Sequence, residues 1–513
     1  MEHHRQAVLK LDFIIVGGGI AGLASGHALA SSGHRVRVFE KSSTGTSSVG
    51  GGFRFTPNGV RVLQQWGLSE ELERRTSSLQ ATDFIDMETG ENIGLLSWQE
   101  EVLHEVGAPL LLIRHQDLHE MLYALALSSG VEITSNANII SISPPLNYKG
   151  KYTSSSSSST TGYDPSRPSV TLATGEVYQA DIIIGADGAG SIMREIVDED
   201  VATMPAPSSR TSTVFYTGTI PVERMRVDEY LKELIEIRSV IWMGDGRQAM
   251  SYPVQNDTAW NFALWQDEEL DDEAPQGWST AIPPSILDRS AFEPRIRAIL
   301  DRIPNLVRIK SSTKTHAESW VDDSERLMLI GEAAHPLTPN GLPVPTLPLE
   351  DAHVLGTLFS HLRHPSQITS LLYAYQELRQ PRALSLHTLE LSNLDALRLP
   401  PGPKRDARNK TWECAKRAAI KQQEARNRMR QGESQGADGG DDENELTLRA
   451  QFQEIFEVWG YDARDAAEDW WVQWGVLGER ALGMTQENGW QAAESGLGAM
   501  FANGHRMEGV VDG

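Results

Sequence analysis

The chain has 513 residues, 40% of them hydrophobic, and a formal net charge of −24. That length outgrows one ordinary core and suits two or three interlocked lobes. The charge argues against nucleic acid or an anionic membrane surface as a partner, since both repel a polyanion, so an anionic small substrate needs a local positive pocket.

The N-terminal run MEHHRQAVLKLDFIIVGGGIAGLA is broken by glycines and lacks a small-residue cleavage site, so it is not read as a signal peptide. No stretch approaches the ~18 apolar residues of a membrane span, and the protein reads as soluble and cytoplasmic. An apolar strand over Phe13–Val16, a glycine turn, a helix to about Ser32 and the strand RVRVFEK make a βαβ start. Apolar spacing predicts helices from Asn58 to Arg75 and from Gln116 to Ser128, with strands in VEITSNANIISIS and VTLATGEVYQADIIIGADG. Between these strands lies a polar, low-complexity insertion placed at 149–169 and read as disordered.

From about Thr211 to Leu264 apolar and polar residues alternate, as in the sheet of a second lobe. After Glu350 the chain turns mostly helical. Lys404–Arg430 reads as a solvated basic helix face, and the acidic, glycine-rich stretch 431–445 as a flexible linker. The tryptophan-rich close, YDARDAAEDWWVQWGVLGERAL, is expected to pack back onto the body. The lone cysteine, Cys414, excludes an internal disulfide framework, fits a reducing compartment and reads as a helix-packing thiol.

The first chemistry-bearing motif is IIVGGGIAGLASGHALASSGHRVRVFEK. Gly17 permits the tight turn, Gly19 lets a pyrophosphate approach the backbone, and Gly22 lets helix and strand pack closely. Glu40, followed by Lys41, ends the second strand where an acid accepts hydrogen bonds from ribose hydroxyls. An acid there suits a ribose without a 2′-phosphate, so the nucleotide is FAD or NAD rather than NADP.

A second motif, ADIIIGADGAGSIMRE, ends a strand with Asp187 and Gly188, then carries Ser191 and Arg194. With GGGFRFTPNGVRVLQQWGL, LLIRHQDLHEML, SYPVQNDTAWNFAL, AYQELRQPRA and WGYDARDAAEDWW, the sequence resembles the single-component flavoprotein monooxygenases. These are the aromatic hydroxylases that include salicylate hydroxylase and 4-hydroxybenzoate hydroxylase. The resemblance covers nearly the whole chain and looks most like the salicylate-hydroxylase type. It implies FAD, NADH or NADPH as co-substrate, and contacts to FAD at Gly52 and in LLIRHQDLHEML. Where the family commonly has arginine this chain has His115, and Arg114 is taken as the substitute anchor.

The third motif is GEAAHPLTPNGLPVPTLPLEDA, residues 331–352. The resemblance places Glu332 where an aspartate usually accepts a hydrogen bond from the ribityl chain. Its extra methylene shifts a bond worth roughly 1 kcal/mol. It also places Val344 and Pro345 where unpaired N–H groups and a helix N-terminus usually face the flavin. Pro343 and Pro345 each remove a donor, and one pre-organised donor is worth on the order of 3 kcal/mol of charge stabilisation.

The resulting reading is an α/β protein. A Rossmann-type FAD-binding lobe (10–205 and 316–395) is interleaved with a mixed-sheet substrate lobe (206–315), and a helical C-terminal region spans 396–513. The activity implied by the resemblance is FAD-dependent hydroxylation of a phenolic or aromatic-acid substrate by NAD(P)H and O2, through a flavin C4a-hydroperoxide. It includes possible loss of a carboxylate and fits secondary metabolism. The resemblance makes Tyr252 the substrate contact or proton acceptor, the other reading being a sheet tyrosine packed at a lobe interface, and no metal is expected. Arg210 and Arg247 are available cations, more simply read as surface groups. Three alternatives stay open: an epoxidase of an isoprenoid chain, a repurposed fold with a damaged flavin loop, and an NAD-linked dehydrogenase. The sequence leaves the oligomeric state open.

Overall fold

The computed structural model describes residues 5–43, 51–98, 100–146, 163–198, 211–269, 280–290, 292–310, 315–430 and 455–477. Most of the insertion at 149–169, the acidic stretch 431–445 and Arg210 lie outside these residues. The chain divides into Met1–Ala463, which holds both the parallel and the mixed sheet, and a second unit from Arg464 onward. In the second unit the helix Ala463–Trp470 continues into a π-helical turn at Trp471–Gly475.

The strand Asp12–Val16 is apolar from Phe13 onward because it lies at the centre of a five-stranded parallel sheet, covered on both faces. The order runs Leu327–Leu329, Ile182–Gly185, Asp12–Val16, Arg35–Phe39, Glu132–Thr134. Register pairs Val16 with Gly185 on one side and with Phe39 on the other. The strand ends therefore align, and the glycine turn, Glu40, Asp187 and Gly331 all emerge at one edge. Open α/β sheets bind ligands at that carboxyl edge. The helix Ile20–Ser31 packs against Leu347–Ser360, where Ser32 Oγ donates to the Gly356 carbonyl at 2.8 Å.

A second, eight-stranded mixed sheet contains Thr211–Pro221, Val240–Met243, Arg247–Val254 and Ala259–Glu269, as the alternation foretold. It also takes in Ala81–Asp86 and Asn92–Ser97 from early in the chain, and Leu306–Lys310 after the expected strands. Period-two alternation splits its side chains. Ile85, Trp242 and Phe262 bury on one face, while Phe84, Ile241, Met250, Tyr252 and Trp265 bury on the other.

Several local expectations are corrected. The helix read from Asn58 to Arg75 is two helices, Pro57–Gln65 and Ser69–Arg75. Gly67 takes φ +82° between them, a left-handed turn that ends the first. VEITSNANIISIS divides between two sheets, because Asn136 turns the chain at φ +56°. Cys414 is exposed on the long helix Pro403–Arg430 rather than packed. No helix among the described residues is long and apolar enough to cross a membrane.

Candidate functional site

A cleft of about 370 Å³ opens at the carboxyl edge of the parallel sheet. Its walls bring together Gly17, Gly19, Glu40, Lys41, Asp187, Gly188, Glu332 and Val344, residues more than 300 positions apart in sequence. Gly17 has φ +108°, and a Cβ there would meet the Ala186 carbonyl oxygen at 2.4 Å, so the turn requires glycine. Gly22 lies against Gly17, where a Cβ would stand only 2.0 Å from the Gly17 carbonyl oxygen. A Cβ at Gly19 would meet nothing within 4 Å. That open face stands at the N-terminus of the helix Ile20–Ser31, where free N–H groups and the helix dipole favour an anion.

Glu40 Oε2 accepts from Gly18 N–H at 2.8 Å, and Oε1 accepts from the Ser42 amide and hydroxyl. Burial pushes the carboxyl up, and these donors outweigh it, so the group stays ionised below the usual range. Asp187 Oδ2 accepts from Ile192 N–H at 2.8 Å, while Oδ1 is buried without a partner. Glu332 has no hydrogen-bond donor among the described residues, and burial pushes its carboxyl up against the opposing pull of His335. These are acceptors placed for hydroxyl groups. The turn, the helix N-terminus and the two carboxylates with spare valence fit the ribose, pyrophosphate and ribityl parts of FAD.

The ring end is different. Val344 N–H donates to the Gly341 carbonyl, and Thr346 and Leu347 N–H both donate to that of Pro343. The prolines at 343, 345 and 348 have no N–H. The loop therefore offers no free backbone donor from 343 to 348.

Two histidines that sequence reasoning left aside also line the cleft. Burial pushes His115 down to about 4, and it lowers His119 as well, whose Nε2 donates to the Gly18 carbonyl at 2.8 Å. Both are neutral at pH 7, and Lys41 is the cation in the lining among the described residues.

Other assigned residues stand elsewhere. Arg114 caps the helix His115–Ser128 and gives both Nε and Nη2 to Asp117, at 2.7 and 2.8 Å. Arg114, the last residue of the strand Leu111–Arg114, does not line the cleft, whereas His115, the first of the helix, does. Gly52 N–H donates to Asn261 Oδ1 and its carbonyl accepts from Tyr252. Pro345 is not part of the lining, although Val344 and Pro348 are. Tyr252 is fully buried and donates its hydroxyl to the Gly52 carbonyl at 2.8 Å, and burial pushes it up to about 12. A proton acceptor needs an accessible, deprotonated oxygen, and this hydroxyl instead clasps the strand Arg247–Val254 to the strand Gly52–Phe55. Arg247 lies over the Phe292 ring at 5.6 Å, away from both cavities.

A second cavity of about 330 Å³ is walled mainly by apolar side chains, among them Phe84, Trp98, Trp265, Trp412 and Trp459. Its polar lining includes Arg54, Gln248 and Glu390. Phe53 and Arg54 are consecutive on the strand Gly52–Phe55, yet Phe53 lines the cleft and Arg54 the second cavity. In the loop, likewise, Val344 faces the cleft and Leu342 the cavity. One strand and one loop thus partition the two spaces. Period-two alternation in GFRF was the signal available for Arg54; Glu390 sits mid-helix in the sequence with nothing to mark it.

A family model described as an FAD binding domain matches residues 10–389. The chain is 26% identical over 406 residues to the FAD-dependent monooxygenase OpS4 of Beauveria bassiana (strain ARSEF 2860), covering 78% of this chain and 88% of that one. It is 28% identical over 397 residues to Hispidin-3-hydroxylase of Neonothopanus nambi, covering 73% and 86%. Among solved structures, a salicylate hydroxylase substrate complex superposes with a TM-score of 0.64 at 18% identity, covering 90% of this chain and 97% of that one. That likeness speaks to the fold.

Proposed function

The chain belongs to the FAD binding domain family, and from that premise we propose that it is an FAD-dependent monooxygenase of the aromatic-hydroxylase type, using NAD(P)H and O2 on a small phenolic or related aromatic substrate. The observation that carries this reading is the partition: a dinucleotide cleft and an aromatic-walled cavity share the strand Gly52–Phe55 and the loop Leu342–Pro348. Bound FAD would accept electrons from NAD(P)H and activate oxygen. The protein's part is to hold, orient and keep dry.

Gly19 and the helix starting at Ile20 receive the pyrophosphate, Glu40 the adenosine ribose, and Asp187 and Glu332 the hydroxyls between pyrophosphate and ring. The apolar walls exclude water from the reacting ring, which limits side reactions. In this reading residues 10–205 and 316–395 serve the cofactor and 206–315 supply most of the substrate sheet. The names of the relatives, a monooxygenase and a hydroxylase, support it.

A second reading, a fold that has lost flavin chemistry, is favoured by the absence of free N–H groups in the described segment 343–348. A visible spectrum of the purified protein, before and after adding FAD and gel filtration, separates the two. A retained flavin band with NAD(P)H oxidation stimulated by an aromatic substrate supports the monooxygenase. A colourless protein that takes up no FAD sinks it.

A further inference from the structure

The second cavity contains two charged groups with unused hydrogen-bonding capacity. The Arg54 guanidinium makes no hydrogen bond and no ion pair among the described residues, and its Nε is buried without a partner. Glu390, 7% exposed on the helix Ile368–Leu397, lines the cavity and accepts no hydrogen bond among the described residues. The two groups form no ion pair; burial raises the Glu390 carboxyl, and the charge of Arg54 opposes this only in part. Gln248 adds a buried Oε1 without a donor. A third charge in the lining, Arg408, is already engaged with the carbonyls of Ala396 and Leu397 and with Asn409 Oδ1.

A donor and an acceptor held apart across an apolar space match a group that is both acceptor and donor. A hydroxyl is such a group: its oxygen accepts from Arg54 while its hydrogen goes to Glu390 or Gln248. A carboxylate matches less well. It would satisfy Arg54 but set a second negative charge beside Glu390, and a buried like-charge pair is unfavourable. The walls specify the remainder of the ligand. Trp98 and Trp459 stand 4.9 Å apart, and Phe84 and Trp412 4.0 Å apart, as ring pairs around a space larger than one benzene ring fills.

We propose that Arg54 and Glu390 together recognise the hydroxyl of an uncharged fused-ring or multi-ring phenol, and that the cavity selects against aromatic carboxylates. The proposal narrows the substrate class of the hydroxylase reading and rests on that reading for the word substrate, though not for binding.

The test is isothermal titration calorimetry on the protein as purified, without NAD(P)H, using 2-naphthol, 2-naphthoate, naphthalene and phenol. Expected is 2-naphthol binding at least about tenfold more tightly than naphthalene or 2-naphthoate, the scale of hydrogen bonds to charged groups, and more tightly than phenol. Arg54→Gln and Glu390→Gln should each shrink the preference over naphthalene to about threefold or less, and Glu390→Gln should relax the exclusion of naphthoate. Equal or tighter binding of 2-naphthoate by the unaltered protein overturns the proposal without any variant having to fold. So does a naphthol affinity no better than that of naphthalene. Because no turnover is read, a protein that binds 2-naphthol but takes up no FAD would keep this inference and lose the monooxygenase.

Discussion

Arg379 Nε donates to Asp351 Oδ1 at 2.8 Å, and neither side chain is exposed to solvent. The same guanidinium reaches Glu350 at 2.7 Å, while Asp351 Oδ2 receives His335 Nε2 at 2.7 Å. The two acids that end the third motif therefore tie the loop over the cleft to the long helix behind it. Replacing Arg379 by Met leaves two buried carboxylates short of a partner, which costs about 3–5 kcal/mol. Urea unfolding of Arg379→Met measures this, and a loss below about 1 kcal/mol would show that the network does not hold the loop.

Acid should loosen the protein through His34. Burial pushes this imidazole down to about 4 from an ordinary 6.5, and its Nδ1 accepts from Leu11 N–H, a bond that protonation removes. The unfolded chain takes up the proton at higher pH than the folded one. The contribution is thus complete above about 6.5 and is lost as pH falls toward 4. Thermal midpoints between pH 7.5 and 4.5 should fall more steeply for the unaltered protein than for His34→Asn. Parallel curves would remove His34 from the account.

His115 stands neutral beside a cleft whose acids are Glu40, Asp187 and Glu332. A guanidinium at that position adds the positive charge that a pyrophosphate favours. His115→Arg should tighten FAD binding by about threefold to tenfold, the scale of one charge-assisted hydrogen bond. Fluorescence titration of the apoprotein with FAD reads it directly, and unchanged or weaker binding would place the pyrophosphate away from His115.

Gly19 is extended, with φ −76° and ψ −171°, a conformation any residue adopts, and a Cβ there meets no protein atom. Gly19→Val should therefore leave the melting temperature within about 2 °C, while FAD affinity falls by at least roughly tenfold as the cradle fills. A variant that binds FAD normally would move the cofactor off this turn.

Tyr252→Phe separates clasp from catalyst. Removing the hydroxyl leaves the buried Gly52 carbonyl without its donor and should destabilise by about 1–2 kcal/mol. With FAD bound, the pH profile of substrate-stimulated NAD(P)H oxidation should keep its shape. Loss of a limb of that profile would restore Tyr252 as a proton acceptor.

Much of the cofactor site was legible because its parts are backbone features with strict demands. Gly17 needs a positive φ and Gly22 a close approach, and both demands show in sequence as a spacing. Long-range geometry was less legible. Arg114 and His115 are neighbours, and which of them faces the cleft depends on where the strand Leu111–Arg114 gives way to the helix His115–Ser128. Tyr252 resembled a substrate-side tyrosine, but its role depends on a carbonyl 200 positions away. Glu390 gives no local sign at all, since its meaning comes from Arg54 across the fold.

The partition strand has a thermodynamic consequence. Phe53 and Arg54 share one peptide unit, so a ligand that draws the Arg54 side chain toward itself also adjusts the wall on which the other ligand rests. Any effect of one occupancy on the other must be mutual by linkage. Whatever factor an aromatic ligand lends to the affinity for FAD, FAD returns equally to the aromatic ligand.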